Sequence, residues 1–389
     1  MPQRTLNIER FRPSFSGDEL AGLKQFIRSS KLPRATYASK QEKYGITHEW
    51  IDRALDRWQN GFDWKEHEER INSVENYHAT VEDEGHDYKL HLIYHESKDP
   101  DAIPLLLLHG WPGSAFEFIP VVHLLRSSTN PSFHLIVPML PGYGWSQPPP
   151  VDRDFNMNDC ARILDKLMAA LGHGEGYAVQ GGDIGAGLAR LLAARYDACR
   201  CAHFNYIPAP REVPPPELPR RQGLSEREEH DLRRGEEWKN TGKAYGALQA
   251  TRPGTIGIVV GSSPVALLAW LGEKLRDWVD VPFPLDEVLS ICTIWWLRES
   301  FPASIWPYPE LLDTGISYIH SLPANNLTHK SMGFSAYPKE LSVMPEAWVK
   351  ETGNLVFYRQ HDKGGHFPSV GVPEEFAQDI KDFLAVAWQ

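Results

Sequence analysis

The chain has 389 residues, 42% of them hydrophobic, enough for one large α/β domain with a substantial insertion or for two ordinary domains, and too many for a small disulfide-stapled fold. Forty Lys and Arg against 51 Asp and Glu leave a net charge of −11, so no positive field gathers phosphate backbones or anionic lipid, and nucleic acid is excluded as the expected partner. The four cysteines show neither a CxxC spacing nor the density of a secreted framework, and the first residues hold no apolar run of signal-peptide or membrane-spanning length. A reducing, cytoplasmic setting is the expectation.

Residues 1 to about 75 are polar, and Trp50, Ile51, Leu55, Trp58 and Phe62 recur at one-turn intervals, which predicts an amphipathic helix. Alternation in YHATV and YKLHLIY around Asp83-Glu84-Gly85 predicts a hairpin between Tyr77 and Tyr94. Ile103 to His109 is a continuous apolar run, as expected of a strand covered on both faces. Further strands are expected at 133–138, 176–182 and 201–207, with helices over 158–171 and 188–196 between them. That alternation predicts a βαβ architecture with a mostly parallel sheet.

The rhythm stops at a proline cluster, Pro208 to Pro219, that reads as a stiff connector. From there to about Ser321 the sequence is charged and then Trp-rich and helical, and it is expected to form a lid inserted between sheet strands. Within it, Ile258 to Leu271 is broken by Gly261, Ser262, Ser263 and Pro264, and reads as a loop followed by a buried helix. The strand pattern resumes with NLVFYR at 354–359, followed by a helix from Glu374 to Ala387.

Three motifs carry chemistry. Gly181-Gly182-Asp183-Ile184-Gly185 lies between a strand and a helix, in the pattern of a nucleophile elbow with aspartate in place of serine. Taken alone, it could equally be a helix N-cap. His109-Gly110-Trp111-Pro112-Gly113-Ser114 follows an apolar strand, where α/β-hydrolases place the backbone donors of an oxyanion hole; the donors would be the N–H groups of Trp111 and Ile184, with Pro112 setting the turn through a cis bond. Gly364-Gly365-His366 follows the last strand, where this fold carries its base, so the order Asp183, acid, His366 fits. For the acid, Glu340, Asp313 and Glu310 remain open. GDIGAG at 182–187 lacks the full dinucleotide-binding spacing, and there is no HExxH, so neither cofactor nor metal is expected.

An aspartate nucleophile suits attack on an sp³ carbon carrying a leaving group, forming an alkyl ester that water then cleaves. A halide would leave with indole N–H donors, whereas an epoxide alkoxide needs a proton from a group such as phenol. The lid offers both, with Tyr245 and Tyr308 beside six tryptophans.

The set of blocks RWQNGFDWKEHEERIN at 57–72, HGWPGS at 109–114, QGGDIG at 180–185, TRPGTIG at 251–257, SSPVALLAWLGEK at 262–274, RESFP at 298–302, TGNLVFYR at 352–359 and GGHFP at 364–368 resembles the α/β-hydrolase-fold epoxide hydrolases of the microsomal and fungal type, over nearly the whole chain. The resemblance implies Asp183 as nucleophile, His366 as base, and Tyr245 and Tyr308 as the lid tyrosines that hold and protonate the epoxide oxygen. It raises Glu340, in Pro338-Lys339-Glu340-Leu341, to the expected acid. Trp111 and Phe116 are expected to touch substrate. The domains implied are an N-terminal epoxide hydrolase segment at 1–97, a core at 98–207 and 322–389, and a helical lid at 208–321. The partners expected are a small epoxide and water, with no membrane anchor and a possible homodimer. A haloalkane dehalogenase-like hydrolase using the same aspartate is the alternative, and a catalytically silent binding protein of this fold is the reading from another class.

Overall fold

The computed structural model describes residues 7–209, 223–312 and 315–388; the proline connector beyond Ala209 and Asp313 lie outside them. Among the described residues nine strands form one sheet: β1 (Asn7–Arg10), β2 (Asn76–Asp83), β3 (His86–His95), β4 (Ile103–Leu108), β5 (Phe133–Pro138), β6 (Tyr177–Gly181), β7 (Cys199–Phe204), β8 (Leu327–Ala336) and β9 (Gly353–Gln360), in the order β1-β2-β3-β5-β4-β6-β7-β8-β9. The first three strands and β5 pair antiparallel, and every pairing from β5 to β9 is parallel. The expected hairpin is β2–β3, closed by Glu84 and Gly85, both at positive φ as a tight two-residue turn requires.

The helices are α1 (Gly17–Ser29), α2 (His48–Asn60) and α3 (Trp64–Ile71) before the sheet proper, then α4 (Ile119–Leu125), α5 (Met157–Met168) and α6 (Asp183–Arg195) between strands. The insertion between β7 and β8 holds α7 (Glu226–Thr241), α8 (Ala244–Thr251), α9 (Pro253–Gly261), α10 (Pro264–Asp277), α11 (Leu285–Leu297), α12 (Ser300–Ser304) and α13 (Gly315–Ser321). The chain ends with α14 (Glu346–Lys350), α15 (Pro368–Gly371) and α16 (Pro373–Ala387).

Leu105 to Leu108 of β4 are all buried, because helices cover both faces of the central sheet. Side chains alternate along a strand, so neighbours report opposite faces. On β7, His203 packs on Phe376 and Phe383 of α16, while Phe204 lies under the guanidinium of Arg190 from α6.

Two expectations are corrected. The stretch read as a loop before a buried helix is itself helical: α9 ends at Gly261 and α10 begins at Pro264, with a bend of 111° between them. Among the described residues no single helix is long and apolar enough to cross a membrane. The strand pattern also resumes earlier than NLVFYR, with β8, which joins β7 to β9. The helix predicted around Trp50 to Phe62 is α2, with Ile51, Ala54, Leu55 and Trp58 buried and Phe62 just beyond its end.

Candidate active site

In a parallel sheet, groups that act on a ligand collect where strands end in loops at their carboxyl edge. His109 to Ser114 leave β4, Asp183 leaves β6, Glu340 lies in the loop after β8, and His366 lies in the loop after β9.

Asp183 opens α6 with φ of 49°, the left-handed region that a non-glycine residue rarely adopts. The turn is possible because its neighbours lack side chains: a Cβ on Gly181 would meet the Gly185 carbonyl at 2.2 Å, and one on Gly185 would meet the Leu108 carbonyl at 2.2 Å. The helix start is therefore pressed onto two strands, and the Asp183 side chain turns away from its own helix. It makes no N-cap bond; it accepts from the Trp111 N–H at 2.8 Å. A Cβ on Gly110 would stand 2.3 Å from the same carboxylate oxygen. Ile184 is buried, and its amide belongs to the first turn of α6, where no intrahelical acceptor exists. The Trp111–Pro112 peptide is cis.

His366 Nδ1 lies 2.6 Å from Glu340 Oε1, and Nε2 lies 3.4 Å from Asp183 Oδ2. The Glu340 oxygen also accepts from the Leu341 N–H at 2.6 Å, which fixes the carboxylate. Burial opposes the imidazolium, but the charges of Glu340 and Asp183 on either side override it and raise the His366 pKa to about 10. The His366 N–H of the backbone is anchored on the Trp278 carbonyl at 2.9 Å, and the rings of Trp278 and Tyr206 stand edge-on to the imidazole. Of the other acids considered, Glu310 caps α5 by accepting from the Met157 N–H, and so is committed elsewhere.

Above Asp183 lies a cavity of about 160 Å³ walled by Tyr206, Trp238, Leu341, Ile316, Tyr245 and Tyr308. The rings of the two phenols meet edge to face, with centroids 6.1 Å apart. Burial first, and the Asp183 charge with it, raise both phenol pKa values, so both hold their protons at neutral pH. Trp111 stacks on Tyr245, with ring centroids 5.2 Å apart.

Phe116 is not brought to this cavity. It is buried in the turn after the HGWPGS segment, against His91 and Trp145, because the short 3₁₀ helix at Ala115–Phe118 directs its ring toward β3. Glu117, beside it, was not foreseen: with Asp183, Asn205, His366 and Ser369 it walls a recess of about 10 Å³, and burial pushes its carboxyl up to about 8. Lys274 was not foreseen either; its ammonium stands over the Tyr245 ring, 4.9 Å from the centroid. Ser114-x-x-Glu117 is legible as a capping box, but nothing in the chain says that either group reaches the site.

The Epoxide hydrolase N terminus family matches residues 8–118, and the alpha/beta hydrolase fold family matches residues 103–222. A Dothistroma septosporum protein named as a candidate epoxide hydrolase is 35% identical over 99% of this chain and 91% of its own length. Epoxide hydrolase 1 of Sus scrofa is 31% identical over 98% of this chain and 90% of its own. The solved structure of Aspergillus niger epoxide hydrolase superposes with a TM-score of 0.90 at 41% identity, covering 99% of this chain and 97% of that one. A fold, an elbow and a full-length likeness of this extent agree: the chain belongs to the epoxide hydrolase family, on the α/β-hydrolase fold.

Proposed function

We propose that this epoxide hydrolase opens an aryl or alkyl epoxide in two steps through an ester on Asp183, with residues 208–321 acting as the lid that carries the acid. The observation that supports this most is that the Asp183 carboxylate faces a cavity holding both phenols while His366 approaches it from beside Glu340.

In the first step an Asp183 oxygen attacks an oxirane carbon, the carbon–oxygen bond breaks with its electron pair going to oxygen, and a phenol of the Tyr245–Tyr308 pair supplies the proton. The carboxylate charge is thereby consumed, and a phenolate is left. Loss of that charge removes one of the two attractions that hold His366 protonated, so the imidazolium gives up its proton, which restores the phenol. His366 is then a neutral base. It takes a proton from water, the hydroxide adds to the Asp183 carboxyl carbon, and the oxyanion is met by the Trp111 and Ile184 N–H groups. Collapse releases the vicinal diol and returns Asp183 as carboxylate beside imidazolium. Loss of one such donor costs about 10²–10³ in rate in comparable sites.

Release of halide is the other reaction open to this nucleophile, but it needs no phenol, and the family to which the chain belongs argues against it. The test is one turnover of styrene oxide in ¹⁸O-water, followed by mass analysis of the Asp183 peptide. Label in the carboxylate is expected; label in the diol alone means direct attack by water and overturns the two-step route. His366→Gln is expected to trap the ester.

A further inference from the structure

During alkylation, negative charge leaves Asp183 and reappears on a phenol. Which phenol receives it depends on what surrounds each one. Tyr245 faces Asp183 and Tyr308, with Tyr206 nearby; Lys239 and Lys243 line the same cavity and His366 lies beyond Asp183, but the cation that stands over the Tyr245 ring among the described residues is Lys274 of α10, whose Nζ lies 4.9 Å from the ring centroid and 5.3 Å from the Trp270 ring. Lys274 is only 4% exposed, an uncommon place for an ammonium, and it is ion-paired with the partly exposed Glu273.

We infer that Lys274 is a positioning residue that acts through Tyr245, placing its charge where the phenolate forms and making Tyr245, rather than Tyr308, the group that protonates the leaving oxygen. In a buried site, attraction between opposite charges this close is weakly screened, whereas in the resting enzyme the same ammonium meets a neutral ring. The interaction therefore grows as the reaction proceeds, which is the condition for accelerating it. The ring stacked on Trp111 is held in place by its indole partner, so the cation is not required for position alone.

This inference rests on the two-step route, and rapid mixing separates the two. With styrene oxide, ester formation and ester decay are followed as separate phases of tryptophan fluorescence across pH. Lys274→Met is expected to slow ester formation about ten- to a hundredfold and to leave ester decay within about twofold. Lys274→Arg is expected to restore most of the rate. In a Tyr245→Phe background Lys274→Met should add little, while in a Tyr308→Phe background its effect should persist. Equal slowing in both backgrounds, or no recovery of the rate in Lys274→Arg, overturns the inference while leaving the route intact; absence of any ester phase in the unaltered enzyme overturns both. Should Lys274→Met fail to fold, Glu273→Gln provides the same decision: it leaves the ammonium's charge undivided and is expected to quicken ester formation in the Tyr308→Phe background but not in the Tyr245→Phe background, and an equal response in the two backgrounds overturns the inference.

Discussion

Glu117 completes a capping box with Ser114, accepting from its N–H at 3.2 Å, and lines the recess it shares with Asp183 and His366. Burial outweighs that bond and the nearby imidazolium, so its carboxyl is pushed up to about 8 from an ordinary value of 4.5. Between those two values the folded chain keeps a proton that the unfolded chain releases, and stability falls as pH rises across the window. Glu117→Gln keeps the shape and the acceptor while removing the ionisation. Its melting temperature relative to the unaltered protein should therefore climb between pH 5 and pH 9, with the gain largest above pH 8. Parallel melting curves across that range would show that Glu117 ionises normally in the fold. No sequence pattern could have announced this group, because the recess that holds it is closed by Phe367 and Phe376, which come from the far end of the chain. Asp183 and His366 were legible for the opposite reason: each needs glycines as immediate neighbours, and those are written beside it. Glu340 sat among three acids until whole-block resemblance singled it out, and Phe116 was misplaced because spacing fixes the turn and not the direction of the ring.

At the scale of elements, the elbow depends on how closely α6 approaches β4 and β6. Gly185→Ala would place a methyl 2.2 Å from the Leu108 carbonyl oxygen and 2.8 Å from that of His109, both backbone atoms with no rotamer to yield. The helix must shift, at a cost of about 1–3 kcal/mol as for other overpacked sites. Because Asp183 is the first residue of that helix and its side chain is set by a 2.8 Å bond from Trp111 and the 3.4 Å approach of His366, activity should fall further than stability, by more than about a hundredfold. Thermal melting and turnover measured on the same sample check this, and a stable variant with near-normal turnover would mean that the close approach is incidental. The same kind of glycine misled the reading of α9: Gly261, ahead of Ser262, Ser263 and Pro264, reads like the start of a loop, yet it and Gly257 are both helical. In the fold they let the helix lie against Pro302 of α12, where an added Cβ would stand 3.2 Å from the proline at either position. β8 was missed because Thr328 and His329 are exposed, and register shifts between Leu327 and Ser331 and between Met332 and Gly333 break the alternation. Strands β4 to β7 were legible because they are short apolar runs buried on both faces.

Over the whole molecule, the N-terminal helices reach across to the helical insertion, and the chemistry of those contacts decides how they hold it. Trp58 of α2 is 1% exposed and donates from its indole N–H to Thr293 Oγ1 of α11 at 3.0 Å, while Arg57 forks onto Asp286 and Arg70 meets Glu287 at 2.6 Å. Trp295, on the same helix as Thr293, abuts Trp111, which in turn meets Tyr245 and Tyr308 of the cavity wall, so displacement of α11 is transmitted to that wall. The magnitudes differ by class. Removing a buried indole costs about 3–5 kcal/mol, leaving its N–H without an acceptor costs about 1–3 kcal/mol, and an exposed ion pair contributes at most about 1 kcal/mol. Arg57 is 46% exposed, so its fork onto Asp286 belongs to the last class despite its geometry. Trp58→Ala should therefore destabilise the protein most and expose the insertion to limited proteolysis. Thr293→Val should be intermediate, keeping the volume while orphaning the indole, and Arg57→Ala should be nearly silent in both stability and turnover. If Arg57→Ala proves as damaging as Trp58→Ala, the N-terminal helices hold the insertion by charge rather than by the buried indole, and raising the salt concentration should then loosen it in the unaltered enzyme.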